Sequence, residues 1–139
     1  MTTEKESYCL NSTSLPTPDH KTASGESSSP QADKISKIRD LNDRLRKYGQ
    51  GGMWLATIGI SSLPPDDMRA IYNAVLGFND FTPDNDPYRE HDCAVQTVGD
   101  TKIIWKIDYY DRARQFLSPD PSDPKVTVRV LTLMLASEY

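Results

Sequence analysis

The chain has 139 residues, 37% of them apolar, with ten prolines and a formal charge of −4 at pH 7. That length suits one domain, and the apolar share lies below the usual range for a fully globular chain. From Ile35 onward thirteen Lys and Arg stand against fifteen Asp and Glu, so the body lacks the cationic surplus that displaces counterions from phosphates, which argues against nucleic acid as a partner.

Residues 1–33 are rich in Ser, Thr and Pro, and beyond Tyr8, Leu10 and Leu15 hold almost nothing large to bury. Such a segment cannot offset its ordering entropy, which predicts a disordered tail followed by a single domain over residues 34–139. No apolar run approaches membrane-spanning length, and Met1-Thr-Thr-Glu-Lys-Glu lacks a signal-peptide core. Two cysteines, Cys9 and Cys93, are a poor basis for a disulfide framework. These features predict a reduced, cytoplasmic protein with no membrane partner.

Ile35, Ile38, Leu41, Leu45 and Tyr48 recur at spacings of three and four, predicting a helix capped by Asp33 and ended by Gly49-Gln-Gly-Gly. Its Lys37, Arg39, Arg44, Arg46 and Lys47 are expected on or beside a solvated outer face. Residues 53–60, MWLATIGI, form an uncharged apolar run short enough for a buried strand. A second helix follows Leu63-Pro-Pro-Asp-Asp, with Met68, Ile71, Tyr72, Val75 and Leu76 on one face and Gly77 at its end.

Residues 93–98 and 101–110 read as a hairpin turned at Gly99-Asp100. Ile103, Trp105, Ile107 and Tyr109 alternate toward the core, while Ile104, Lys106, Asp108 and Tyr110 take the opposite face. After Ser118-Pro-Asp-Pro, Asp123 and Pro124 resemble a helix start, and residues 125–139 satisfy both a helical stripe and a β-branched alternation. The capping signal and the length favour helix. The expected order is α-β-α-β-β-α, an α+β domain with a small three-stranded sheet packed by helices.

The chemistry-bearing stretch is residues 78–111. Between Asp80 and Asp92 five acids (Asp80, Asp84, Asp86, Glu90, Asp92) accompany Arg89 and His91. Asp84, Asp86, Glu90, His91 and Asp92 are ligand types for Mg²⁺, Mn²⁺ or Zn²⁺, and Asp108 can join them from the neighbouring strand. The spacing matches no calcium loop, and a single His is too few for a usual zinc site. The alternative is that Asp80, Thr82, Asp84 and Asp86 cap backbone N–H groups in consecutive Asx-type turns held by Pro83 and Pro87. Lys106 and Asp108 are placed to pair, Tyr110 to show its hydroxyl, Tyr88 to flank the acids, and Asp111 to orient Arg112 or Arg114.

Phe81-Thr-Pro-Asp-Asn-Asp-Pro-Tyr-x-Glu-His-Asp, Trp105-Lys-Ile-Asp-Tyr-Tyr-Asp, Ser118-Pro-Asp-Pro and Val130-Leu-Thr-x-Met-Leu-Ala-x-Glu-Tyr resemble a small proteobacterial domain family of unknown function, over residues 35–139. The resemblance implies short cytosolic proteins carried on plasmids and other mobile elements, and it brings no assigned catalytic residue and no cofactor. Two functions are expected from the residues. The favoured one is a non-enzymatic interaction or accessory module, including a role in evading host defence, whose stiff acidic loop meets a basic site on a protein partner. The other is a metal-assisted hydrolase built on residues 84–92 with Asp108, His91 and Asp108 serving as acid and base. Convergent carboxylates would favour the enzyme; outward-facing ones, the binding module.

Overall fold

The computed structural model describes residues 29–139. The elements are α1 (Pro30–Tyr48), β1 (Gly52–Ala56), α2 (Ile58–Ser61), α3 (Pro65–Leu76), β2 (Cys93–Val98), β3 (Thr101–Tyr110), β4 (Val128–Leu135) and a closing 3₁₀ turn (Ala136–Glu138). One four-stranded sheet has the order β1-β4-β3-β2. β1 runs parallel to β4, whereas β4 with β3 and β3 with β2 are antiparallel.

This is an α+β architecture, with corrections to the expected one. The sheet has four strands rather than three, and the final segment is a strand rather than a helix. β4 lies between β1 and β3, so both its edges are paired, and both its faces are buried, Leu131 and Leu133 on one and Val130 and Met134 on the other. A central strand of that kind is apolar nearly throughout, which lets it mimic a helical stripe. The apparent helix cap is a turn: the Asp123 carboxylate accepts the Lys125 N–H at 2.9 Å and the chain then extends. The run 53–60 is also divided. Its strand ends at Ala56, and Ile58–Ser61 turns into α2, held from outside by Glu138, whose carboxylate accepts the Gly59 N–H at 2.9 Å.

α1 begins earlier than the expected Asp33. Ser29 is its N-cap, its side chain accepting the Ala32 N–H at 3.0 Å, and Pro30 occupies the first turn. Of the expected disordered tail, residues 29–33 are the cap and first turn of this helix, and the remainder, with Cys9, lies outside the described residues. α1 ends at Gly49, whose φ of 70° supplies the left-handed cap. Its buried face is Ile38, Asn42, Leu45 and Arg46, and Tyr48 is exposed. The helix is therefore rotated relative to the stripe ending in Tyr48, and it carries two polar side chains into the interior.

One face of the sheet holds the core. Ile38 and Leu45 of α1, Ile60 of α2, and Ile71 and Val75 of α3 pack on Ile103, Trp105, Ile107, Leu131 and Leu133. Trp105 is fully buried and its indole N–H donates to Gln96 Oε1 at 2.9 Å. On the opposite face Cys93, Ile104 and Met134 cluster. Cys93 is buried, 1% exposed. Among the described residues no helix is long and apolar enough to cross a membrane.

The junction of α1, β1 and β4 requires Gly52. A Cβ there would sit 2.5 Å from the Arg129 carbonyl oxygen and 3.0 Å from Leu45 Cδ2. At Gly77 the nearest atom to such a Cβ is 3.5 Å away. Gly52→Ala is expected to cost about 1–3 kcal/mol, the range for overpacking, and Gly77→Ala to stay within about 0.5 kcal/mol. Urea midpoints of the two variants check this; equal midpoints would show that β1 and β4 are not in this close contact.

Candidate functional site

The side chains that bind loop 78–92 to the fold come from α1. Asn42, fully buried, is the hub. Its amide donates to the Glu90 carbonyl at 2.9 Å and to the Tyr109 hydroxyl at 2.8 Å, and its oxygen accepts Arg129 Nε–H at 2.8 Å. Tyr109 in turn donates to Glu90 Oε1 at 2.7 Å. Arg129 lies over the Tyr109 ring, 5.1 Å from its centroid, and donates to the Pro121 carbonyl. The arrangement is a satisfied polar network in a dry setting, where an unpaired member would be costly.

One turn along α1, Asp43 and Arg46 anchor the front of the loop. Asp43 Oδ1 lies 2.9 Å from His91 Nδ1 and 3.2 Å from Arg46 Nη2. Arg46, expected on a solvated face, is 1% exposed. It donates to the carbonyls of Val75 at 3.0 Å and Phe78 at 2.8 Å, closing the C-terminal end of α3. Its guanidinium sits over both Phe81 and Trp105, 5.4 and 5.3 Å from the ring centroids. Phe81 stacks on His91 with centroids 3.8 Å apart and planes 7° from parallel.

Within the loop, side chains and carbonyls are turned on the chain's own backbone. Asp86, 6% exposed, accepts the His91 N–H through both oxygens at 3.2 and 3.3 Å. Thr82 and Asn85 exchange side-chain-to-backbone bonds at 2.8 and 3.3 Å. The carbonyl of buried Asp92 accepts the Ile107 N–H at 2.7 Å. Asp84 is exposed and Tyr88 half-buried. Of the residues expected to cap backbone N–H groups, Thr82 and Asp86 do so, and Asn85 joins them.

The other predicted residues lie elsewhere. Lys106 and Asp108 pair at 3.2 Å on the sheet face away from α1, next to half-buried Tyr110. His91 contacts Asp43 of α1 and the core-facing Phe81, so the sheet separates it from Asp108. Asp111 accepts the backbone N–H groups of Gln115 and Phe116 at 3.0 and 3.3 Å; it caps a turn, and its carboxylate does not orient Arg112 or Arg114. Among the described residues no group of three or more His, Cys, Asp or Glu is arranged to hold a metal ion. His91 Nε2 faces Asp86 Oδ2 at 3.8 Å, and among the described residues no hydroxyl or thiol is hydrogen-bonded to its ring. An open groove of about 550 Å³ between Lys34, Lys37, Leu41 and the 120–124 loop contains none of the predicted site residues.

Sequence reasoning did not place Asn42, Asp43, Arg46 and Arg129 in the site. A signal was present for two of them: Asn42 and Arg46 follow Ile38 at four-residue steps, so a polar pair rides the apolar stripe.

Charge follows burial. Burial raises the Glu90 carboxyl, against the Tyr109 hydrogen bond that lowers it, and Asp86 adds to the rise. Burial also raises Asp86, opposed by the His91 backbone bond and charge. It raises Asp43 too, but there the hydrogen bond and charge of His91, with Arg46, prevail and hold the carboxyl below its usual range. Tyr109 is pushed well above the ordinary phenol, first by burial and then by Asp92 and Glu90.

The chain belongs to a family described as "Protein of unknown function (DUF3768)", whose model matches residues 56–138. That span includes the loop and strands β2, β3 and β4 but not α1 or most of β1. No curated protein and no solved structure matches the chain.

Two measurements test this geometry. Asp86→Ala leaves the partly buried His91 N–H without its acceptor and is expected to cost about 1–3 kcal/mol, whereas Asp84→Ala should stay within about 0.5 kcal/mol; similar losses in denaturant titrations would contradict the assignment. The second uses pH. An acid whose folded pKa is raised holds its proton better when folded, so its contribution to stability falls as pH rises from the unfolded value through the folded one. Glu90→Gln removes that loss and keeps an acceptor for Tyr109. The melting temperature of Glu90→Gln minus that of the parent should climb as pH rises from about 4 through the raised Glu90 value. Parallel curves would show that Glu90 is not buried as described.

Proposed function

We propose that the chain is a non-enzymatic interaction module that presents loop 78–92 in a fixed shape to a basic site on a protein partner. One observation carries the proposal. Arg89 and His91 hold φ of 60° and 57°, left-handed conformations that cost a non-glycine residue on the order of 1–3 kcal/mol and collect at sites where shape matters. Arg39 Nη1 to the Arg89 carbonyl at 3.1 Å, Asn42 to Glu90 and Asp43 to His91 keep both in place. With Asp86, Glu90 and Asp92 turned inward, the outer surface of the loop consists of Asn79, Asp80, Thr82, Pro83, Asp84, Pro87 and Arg89. A loop already ordered loses little entropy when a partner docks. The family resemblance supports extending this reading to an accessory role on plasmids or other mobile elements, evasion of host defence included.

Affinity capture from host extract tests the proposal, with Asp80→Asn/Asp84→Asn compared against Asp66→Asn/Asp67→Asn, an equal charge change on exposed positions of α3. A host protein held by the parent and by the α3 variant, and lost with the loop variant, is the expected result. Capture that ignores the loop change, falls equally with both variants, or never exceeds background contradicts it.

A further inference from the structure

β1 is an end strand of the sheet, and its backbone has a definite polarity. Thr57 N–H donates to the Leu133 carbonyl at 3.0 Å, with Ala56 in register with Leu133. In a parallel ladder alternate residues bond to the same neighbour. Met53, Leu55 and Thr57 therefore address β4, while Gly52, Trp54 and Ala56 direct their N–H and C=O groups to the outer edge.

The strand itself offers that edge none of the usual protections; the charge beside it is Arg114, whose Nη1 lies 3.4 Å from Met53 Sδ. From Gly49 to Pro65 no residue is charged, and no proline falls within the strand. Edge strands are ordinarily guarded by charge, proline or a bulge against pairing with another chain. Leu55 is 50% exposed and Ile58, just past the strand, 78% exposed. The opposite edge differs: β2 is flanked by Asp92 and Asp100, and Gln96 ties it to the Ala74 carbonyl of α3 at 3.1 Å.

We infer that β1 is a docking edge for β1 of a second copy of this chain, giving one continuous antiparallel sheet across a two-fold axis at Trp54. The register follows from which residues point outward. Trp54 meets Trp54 of the second copy as a mutually hydrogen-bonded pair, and Gly52 meets Ala56 in the same way on both sides. These pairs are small with small, and the Trp54 side chain is already committed to its own core: its indole N–H donates to the Leu45 carbonyl at 3.1 Å and its ring stacks on Tyr72 at 5.4 Å. Between them fall the non-hydrogen-bonded pairs, in which side chains come closest. These set Met53 against Leu55 twice, on the sheet face away from α1. Leu55 thereby loses its exposure against an apolar partner. A two-fold axis brings every charge near its own copy, and residues 49–65 contribute none. The interface shares no residue with loop 78–92 and stands or falls apart from the loop's proposed role.

Sedimentation equilibrium of the full chain tests the inference, alongside Leu55→Lys and, as a second variant, Ala56→Pro, which removes an outward N–H and no bond to β4. The parent is expected to dimerise. Its amide exchange at Trp54 and Ala56 should slow as concentration rises, and each variant should weaken the dimer at least tenfold while melting as a folded monomer. A parent that is monomeric at about 100 μM, well above the micromolar range of a specific complex, overturns the inference. So does a dimer that both variants leave intact, or one whose Trp54 and Ala56 exchange does not depend on concentration.

Discussion

A single carboxamide, that of Asn42, joins four parts of the chain. It holds the Glu90 carbonyl of the loop, the Tyr109 hydroxyl of β3 and the Arg129 guanidinium of β4, all from α1. An amide offers donors and an acceptor on one rigid plane, and here both kinds are used. No apolar residue at this position would leave the three partners satisfied, because each is already withdrawn from water. The orientation of α1 on the sheet, and with it the placement of Asp43 and Arg46, depends on that side chain being where it is.

From this hub the loop acquires its character. Arg46 closes α3 and supports Phe81 from beneath; Phe81 supports the His91 ring; Asp43 and Asp86 hold the His91 side chain and backbone N–H respectively. Of the acids that looked like a ligand set, Asp86 takes the His91 N–H and Glu90 the Tyr109 hydroxyl. A carboxylate that accepts a backbone N–H or a phenol stabilises its own fold, and having turned inward it is not aimed at a shared point where a metal or substrate would sit. The outward remainder is a shaped, mildly acidic surface, while the uncharged edge of β1 lies at the far side of the sheet.

Much of the fold was legible in the sequence, for physical reasons that differ by element. The β3 alternation was clear because its core-facing set, Ile103, Trp105, Ile107 and Tyr109, is interrupted by Lys106 and Asp108 on the other face. α1 and α3 were legible from apolar spacing, though not the rotation of α1, since Arg46 and Asn42 are polar by type and buried only through partners far along the chain. β4 was misread because apolar residues are buried on both its faces, Leu131 and Leu133 on one and Val130 and Met134 on the other, so it lacks alternation, and its Asp-Pro prelude imitates a helix start. In the loop, the stiffening role of the acids was legible from Asx and proline chemistry. Which acid served which N–H was not, because Asp84 and Asp86 have nearly the same local setting and differ in what α1 places beside them.

The central claim is that loop 78–92 is ordered by these internal contacts in the free chain. Amide hydrogen exchange of the isolated protein in chelator measures this most directly, at the His91 N–H held by Asp86 and the Ile107 N–H held by the Asp92 carbonyl. Both are expected to be protected, and Asn42→Ala to lower protection at His91 more than at the Trp105 amide in the sheet. Exchange at His91 as fast as in an unstructured chain, with protection appearing only when a divalent metal is added, would contradict it.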